Sequence, residues 1–400
     1  MKILHTSDWH IGHALYAKKR MSEHEKFLSW LTEQICEREI DALIVSGDVF
    51  DTGTPGGQAQ RLYYDFLTSL LGTCCNTVVI VAGNHDSPGL LEAPAGVLER
   101  LRIHIIGLPA EPERHVITLY GKDKMPGAIC CAVPYLRKNE MVKMDDDSMT
   151  SDDKIALATE QFYSEVVGSA VLFKNQFYED LPLIATGHLF VQGASRREGD
   201  GLRDLYVGSL GQVGTDIFPD ALRYVALGHI HSEQCVMGKA HIRYCGSPLP
   251  MSFSELDQIK YVLEIDTKKD IQKIEVPVFQ RLKTICGDYD TIISGLKAIA
   301  DEDVWIEVTY TGKEVLPELS FDVYEAVRGK KAEVLSIRNA AILSNIVETS
   351  DNLDTLETMR VEDVFLRCIE NNSFSNQHSQ ELIDCFNEIV AELEGKDTCA

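Results

Sequence analysis

The chain has 400 residues, of which 44% are hydrophobic and 25% are charged; this composition is typical of globular proteins and excludes wholesale disorder. A chain of this length favours two or three domains. Its 38 basic and 62 acidic residues give a formal net charge of −24, which argues against broad electrostatic capture of nucleic acid by this chain alone.

Hydropathy and cysteine content indicate the cellular compartment of the chain. No apolar run approaches the ~18 residues that a membrane-spanning helix requires. Met1 and Lys2 lead directly into a strand-like segment, without an apolar leader. The eleven cysteines show no repeated spacing, which favours reduced thiols over a disulfide framework. We therefore expect a cytoplasmic protein that does not enter a membrane.

Strand-like and helical patterns alternate in the first third of the chain. β-Branched apolar runs predict strands, and amphipathic runs of helical period predict helices. The predicted strands are Lys2–Thr6, Ala42–Ser46, Thr77–Val81 and Ile103–Ile106, and the predicted helices are Ser22–Glu37 and Gln58–Leu71. Such alternation predicts a sheet with parallel pairs and with helices on its faces.

The middle of the chain is rich in short strands. Six of them predict a second, partly antiparallel sheet: His115–Tyr120, Ala128–Val133, Leu183–Thr186, Arg223–Leu227, His241–Cys245 and Lys260–Ile265. The acidic stretch Met141–Lys154 interrupts this series, and we expect it to be a solvated insertion, a surface loop that precedes a helix.

The last third changes character near Pro277. Strand and helix patterns between Arg281 and Ile337 predict a small βαβαβ unit. The polar link Glu348–Thr358 then leads to two amphipathic helical patterns, Val361–Ile369 and Leu382–Leu393. These helices would pack on their own protein or dock on a partner. We predict an α/β protein in three parts, residues 1–276, 277–345 and 346–400.

The strongest chemical signal is a set of polar residues placed directly after predicted strands. Sites in open α/β proteins form outside the carboxyl ends of strands. Carboxylates, imidazoles and amide oxygens are ligands for Mn²⁺, Fe²⁺ or Zn²⁺, and the lack of a thiol disfavours structural zinc. Each short motif is weak alone, but the ordered set predicts a two-metal site that acts on a phosphoryl group. The set is Asp8, His10, Asp48, Asn84, His85, Asp86, His188, His229 and His231.

These motifs resemble those of the calcineurin-like metallophosphoesterase superfamily. The matching series is Asp8-x-His10, Gly47-Asp48, Gly83-Asn84-His85-Asp86, Gly187-His188 and Gly228-His229-x-His231. Longer stretches resemble a bacterial nuclease branch of that superfamily: His5–Gly12, Ser46–Gly53, Ala226–His231 and Tyr244–Pro250. This resemblance covers residues 1–265 and continues more loosely through the rest of the chain. The resemblance implies a two-sheet sandwich flanked by helices in residues 1–276. It also implies a capping domain in 277–345 and a partner-binding helix pair in 346–400.

The resemblance also implies roles for individual residues. Asp8, His10, Asp48 and His231 would hold one metal, and Asp48, Asn84, His188 and His229 would hold the other, the family usually using two Mn²⁺ ions. His85 would be the general acid that protonates the leaving oxygen. Asp86 would orient His85 or serve the structure.

The sequence leaves the roles of three further residues undecided. Asp51 stands where some relatives carry a histidine, so any role of that group is undecided. Arg196 and Arg197 would contact phosphates or lie in a solvated loop.

The nuclease branch implies a function in DNA repair, replication and recombination. The expected activities depend on Mn²⁺. They are a 3′→5′ exonuclease activity on double-stranded ends and an endonuclease activity on hairpins. The chain has no G-x-x-x-x-G-K-[ST] motif, so ATP would be used by an ATPase partner that docks on the C-terminal helices. A homodimer within a heterotetramer is implied.

Two other functions are compatible with the same site. One is a phosphodiesterase for small molecules such as cyclic nucleotides, and the other is a non-catalytic scaffold. Protein phosphatases of the superfamily usually carry Glu where this chain has Asp86, and an arginine near Asp51–Gly53, where it has none. Both departures favour the nuclease branch.

Overall fold

The computed structural model describes residues 1–137, 151–195, 213–269, 271–312 and 316–339, with residues 382, 383 and 386. In chain order its strands are β1 Lys2–Thr6, β2 Ala14–Leu15, β3 Lys18–Lys19, β4 Ala42–Ser46, β5 Thr77–Val81, β6 Ile103–Ile106, β7 Val116–Tyr120, β8 Pro126–Ala132, β9 Leu183–His188, β10 Leu222–Gly228, β11 Gln234–Val236, β12 Lys239–Tyr244, β13 Tyr261–Asp266, β14 Ile271–Glu275, β15 Arg281–Gly287, β16 Val304–Tyr310 and β17 Glu333–Asn339. Its helices are α1 Met21–Glu37, α2 Gly57–Ser69, α3 Pro88–Glu92, α4 Ala95–Leu98, α5 Ser151–Phe177, α6 Tyr289–Ala298 and α7 Leu319–Val327.

Two six-stranded mixed sheets make up most of the fold. The first has the order β14-β13-β1-β4-β5-β6, in which β1, β4, β5 and β6 run parallel and β13 is antiparallel to β1. The second has the order β11-β12-β10-β9-β8-β7, with a parallel centre and antiparallel edges. Both sheets therefore place several carboxyl ends of strands side by side.

Alternating side chains of the first sheet belong to two different cores. Leu43 and Val45 of β4 pack with helices α1 and α2, whereas Ala42 and Ile44 belong to a cluster that joins the two sheets. This alternation follows from the two-residue period of a strand. A strand covered on both faces needs a nearly continuous apolar run, and β4 has one from Ala42 to Val45, followed by the buried Ser46.

The second sheet is covered on its outer face by helix α5. Phe162, Tyr163 and Val166 of this helix are buried in one cluster with Ala185 and Val225 of the sheet. The layers are thus helix, sheet, sheet and helix.

The later part of the chain contributes a three-stranded sheet, β15-β16-β17, with α6 and α7 between its strands in sequence. Asp288 caps α6, because its carboxylate accepts a hydrogen bond of 2.9 Å from the Thr291 amide. By density of contacts the chain forms two compact units. One comprises residues 1–284, 301–307 and 330–336, and the other comprises 285–300, 308–329 and 337–400.

The predicted mixed α/β architecture is confirmed, and each strand predicted between Lys2 and Ile265 is present. Helix α5 lies where a helix was expected after the acidic insertion, although no bounds were predicted for it. It takes in the end of the predicted insertion, and residues 138–150 lie outside the described part. The helical pattern Val361–Ile369 also lies outside it, as does most of Leu382–Leu393. No helix among the described residues is long and apolar enough to cross a membrane.

Candidate metal centre

The loops after five strands bring the predicted residues together. Asp8 and His10 follow β1, Asp48 follows β4, Asn84 follows β5, His188 ends β9, and His229 and His231 follow β10. The buried Asp48 carboxylate lies at the centre. Its Oδ2 atom is 3.3 Å from His188 Nε2 and 3.7 Å from His10 Nε2. Loops from both sheets therefore meet at one carboxylate.

One group of donors lies on the β1 side of Asp48. Asp8, His10 and His231 are buried, and each offers one ligand atom within 4.8 Å of the others. The Nε2 atoms of His10 and His231 face each other at 3.3 Å. Asp8 is held in place by its neighbours, since its carboxylate accepts the His229 amide at 3.0 Å. A divalent cation fits between such converging lone pairs.

A second group lies on the other side of Asp48. Asn84 Oδ1 is 2.9 Å from His188 Nε2 and 3.0 Å from His229 Nδ1. His188 is oriented by its other ring nitrogen, which lies 2.9 Å from the Ser46 carbonyl oxygen and donates to it. That bond leaves Nε2 directed at Asn84 and Asp48, as a metal-binding imidazole requires.

Several of these residues adopt a left-handed backbone conformation. The φ angles of Asp8, His10, Asp48 and His229 are 53°, 47°, 50° and 103°. Non-glycine residues rarely adopt this region, and they cluster at functional sites, where the surrounding structure imposes it. The loops after the strands therefore turn sharply enough to direct these side chains to one point.

Gly83 permits the close approach of two loops. A Cβ atom at this position would lie 2.1 Å from Asp48 Oδ1 and 2.3 Å from the Asp48 amide nitrogen. Any side chain at Gly83 would thus displace the central carboxylate.

The electrostatics of the centre favour bound positive charge. Burial opposes the ionisation of Asp48, but the imidazoles of His188 and His10 outweigh it and hold the pKa of Asp48 well below its ordinary value. Burial would also lower the pKa of His188, whereas the Asp48 carboxylate raises it to about 9. Asp48 Oδ2 nevertheless accepts no hydrogen bond from the described residues. This buried oxygen, among nitrogen and oxygen donors, suits a cation that replaces the proton on His188.

His85 lies beside the centre and is held by its neighbours. Its amide donates to Asp48 Oδ1 at 2.9 Å, and its Nδ1 donates to the Asp51 carbonyl at 2.9 Å. Nε2 is then the ring atom left to exchange a proton with a substrate. The His85 ring packs edge-on against His10, with ring centroids 4.9 Å apart.

Asp86 contacts backbone amides instead of the His85 ring. Its carboxylate accepts hydrogen bonds from Gly83 and Phe50, each at 2.9 Å, and from Val49 at 3.1 Å. Burial, reinforced by the charge of Asp48, raises the pKa of Asp86 to about 6. The contacts thus tie the loop after β5 to the loop after β4, and they favour the structural alternative for Asp86.

The structure places Asp51, whose role the sequence left undecided, and adds two residues that no motif included. Asp51 Oδ1 lies 3.0 Å from His13 Nδ1 and 3.5 Å from His10 Nδ1, so Asp51 joins the edge of the centre. Glu255 and Lys260 form a buried ion pair near His231. Their only sequence signal is an acid and a base five residues apart, after the Gly246–Pro250 loop. Arg196 and Arg197 lie outside the described residues.

Comparisons with known proteins agree with this geometry. The family model described as calcineurin-like phosphoesterase matches residues 1–233, and that described as type 5 capsule protein repressor C-terminal domain matches residues 278–373. The SbcD subunit of the nuclease SbcCD from Escherichia coli K12 is 34% identical over 99% of both chains. The SbcD subunit from Bacillus subtilis is 28% identical over 99% of this chain and all of its own.

Among solved structures, a family 1 β-glucosidase from Thermotoga maritima covers 78% of this chain and 77% of its own, at 12% identity and a TM-score of 0.18, too low to bear on the fold. The family models and the full-length relatives, in contrast, identify the family of the chain. It belongs to the calcineurin-like phosphoesterases, in the branch of the SbcD nucleases, and is a metal-dependent phosphodiesterase.

Proposed function

We propose that the chain is the Mn²⁺-dependent DNA nuclease of an SbcCD-type complex. It would act as a 3′→5′ exonuclease on double-stranded ends and as an endonuclease on hairpins, in DNA repair, replication and recombination. The observation that carries this proposal is the convergence of donors from both sheets on the buried Asp48 carboxylate. The names of the full-length relatives support a nuclease acting with a second subunit.

Two Mn²⁺ ions fit the donors that meet at Asp48. Asp8, His10 and His231 would hold one with Asp48, and the donor atoms of these three residues lie within 4.8 Å of one another. Asn84, His188 and His229 would hold the other with Asp48, and the contacts of 2.9 and 3.0 Å at Asn84 Oδ1 support that group. When bound, such ions supply Lewis acidity to the scissile phosphate and a nucleophile at neutral pH.

His85 would donate the proton that the leaving oxygen needs. Its Nδ1–H is directed to the Asp51 carbonyl, and its amide is fixed on Asp48. The ring is therefore held with Nε2 outward, and a proton carried there would reach the departing oxygen atom. Asp86 would support this geometry through the loop backbone, as its three amide contacts indicate.

The acidic chain would rely on a partner for DNA binding. With a net charge of −24 it lacks the positive field that captures duplexes. An SbcC-type ATPase would supply that field and consume the ATP, in a heterotetramer that contains a homodimer of this chain. The nuclease domain would comprise residues 1–276, the capping domain 277–345, and the partner-binding segment 346–400. The match of a C-terminal domain model to residues 278–373 supports a separate region there.

The test is cleavage of end-labelled linear duplex and hairpin DNA, with Mn²⁺, with EDTA, and with or without the ATPase subunit and ATP. We expect Mn²⁺-dependent shortening from 3′ ends and nicking of hairpins, both stimulated by the partner. Turnover of cyclic nucleotides far above that of DNA would favour a small-molecule phosphodiesterase. No hydrolysis of any of these substrates with Mn²⁺ would favour a scaffold.

A further inference from the structure

A buried ion pair lies behind one of the site histidines. Glu255 ends a short 3₁₀ turn, Phe253–Glu255, and is fully buried, while Lys260 precedes β13 and is 7% exposed. The Lys260 ammonium contacts Glu255 Oε2 and donates to the carbonyl oxygen of His231 at 3.0 Å. The Met251 amide also donates to Glu255 Oε2, at 3.1 Å. One oxygen of the carboxylate is therefore fixed by two donors.

The other oxygen of Glu255 faces the imidazole of His231. Glu255 Oε1 and His231 Nδ1 lie 3.8 Å apart, and each is buried without a hydrogen-bond partner among the described residues. One atom is an acceptor and the other can carry a proton, so the two are complementary. Leaving both unpaired would cost the desolvation of two polar atoms, whereas a small closing movement would pair them.

We propose that Glu255, held by Lys260, is a positioning residue that accepts the Nδ1 proton of His231. This arrangement keeps the lone pair of His231 on Nε2, which faces His10 Nε2 at 3.3 Å, where the proposed function places a cation. The inference rests on that proposed function. A carboxylate behind a ligating imidazole fixes its tautomer and increases its basicity.

The two cation positions then differ in what supports their histidines. His188 is held by a backbone carbonyl, that of Ser46, whereas His231 is held by a charged side chain. Removal of the Glu255 charge should therefore weaken one cation position and spare the other. A merely structural ion pair would act through the His231 backbone, which Lys260 contacts, so the tautomer of the His231 ring is the readout that separates the two roles.

The test is titration calorimetry of the full chain with Mn²⁺, using Glu255→Gln. Glu264→Gln is the matched control, because Glu264 is also a nearly buried carboxylate, paired with Lys2 and Arg38 at 3.8 and 3.2 Å. We expect two Mn²⁺ per chain in the wild type and in the control. In Glu255→Gln one site should weaken by about 10–100-fold and the other should keep its affinity.

Two contrary results have different meanings. Wild-type affinities at both sites of Glu255→Gln would overturn the role of Glu255 and leave the proposed function intact. A wild-type chain that binds no Mn²⁺ would contradict the proposed function itself.

A measurement on the wild type does not depend on how the variant folds. ¹⁵N spectra of histidine-labelled protein, with and without Zn²⁺, report which ring nitrogen is protonated, and His231→Asn assigns the signal. We expect the proton of His231 on Nδ1 in both states. A proton on Nε2 in the metal-free protein, or equal populations of both tautomers, would refute the proposal.

Discussion

The two carboxylate oxygens of Asp48 make different contacts. Oδ1 accepts the amide of His85, and Oδ2 lies between His10 and His188 with no hydrogen bond from the described residues. Asp8 also has a ligand atom within 4.8 Å of donors in both groups, but in the proposed scheme Asp48 is the carboxylate that the two cations share. The chemistry of the site at the residue scale therefore depends on Asp48 more than on any single imidazole.

Asp48→Ala should lose both metals. The substitution removes the oxygen that each proposed position shares, and it leaves His188 without the charge that raises its pKa to about 9. We expect the metal content, measured by inductively coupled plasma mass spectrometry after Mn²⁺ loading, to fall from two per chain to near zero. A full complement of two ions would contradict the shared role.

His85→Ala should separate catalysis from metal binding. The ring is placed to deliver a proton from Nε2, and loss of a general acid lowers rates by roughly 10²–10⁴-fold. We expect that loss in DNA cleavage, with two Mn²⁺ still bound. If the variant lost metal instead, His85 would be a ligand, as its place in a group with His10 and Asp51 allows.

At the scale of elements, apolar runs predict the strands well because the central strands are buried on both faces. β4 and β5 are buried along their whole length, and each carries a run of four apolar residues. The site residues follow from the same logic, since polar groups right after such strands must gather at one edge. The motif positions Asp8, Asp48 and His188 were predictable for this reason.

Other features depend on tertiary packing that a local pattern does not record. Glu255 and Lys260 lie 24 and 29 residues after His231, in a segment without a motif, and only the fold brings them behind it. Helix α5 is a different case. Its buried residues Phe162, Val166 and Ala170 are spaced at the helical period, so the signal was present, but an acidic stretch precedes it and obscures its start.

Deletion of residues 359–400 tests the proposed docking segment. The first unit of the chain, which contains all the site residues, does not include this segment, so the site should survive its loss. We expect the shortened chain to keep two Mn²⁺ and its circular dichroism melting profile, but to lose co-purification with the ATPase subunit. An undiminished complex would show that the helices are not the docking element.

At the scale of the whole molecule, buried histidines link folding to pH. Burial lowers the pKa of His5 from 6.5 to about 3, and burial together with the charge of Arg20 lowers that of His24 to about 4. Between these values and pH 6.5 the unfolded chain binds more protons than the folded one. The contribution of these two histidines to stability is therefore complete above pH 6.5 and is lost progressively as the pH falls.

His5→Asn should flatten this dependence. Each such histidine contributes a slope of up to about 1.4 kcal/mol per pH unit between its two pKa values. Asn keeps a polar group near the Tyr224 hydroxyl, which lies 2.8 Å from His5 Nδ1, but does not titrate. We expect urea unfolding in EDTA to show a shallower loss of stability from pH 6.5 to 4 in the variant. Identical slopes in the two proteins would be evidence against a neutral buried His5.

Each proposed cation position takes donors from both sheets. Asp8, His10, Asp48 and Asn84 follow strands of the first sheet, whereas His188, His229 and His231 belong to the second. A bound ion would therefore cross-link the two layers at one end of the sandwich. Chelation would remove both cross-links at once and lower the unfolding temperature. Conversely, the unfolding temperature should rise with the logarithm of the free Mn²⁺ concentration once that concentration exceeds the dissociation constant. The thermal stability of this chain would then depend on the supply of the ion that the proposed function assigns to catalysis.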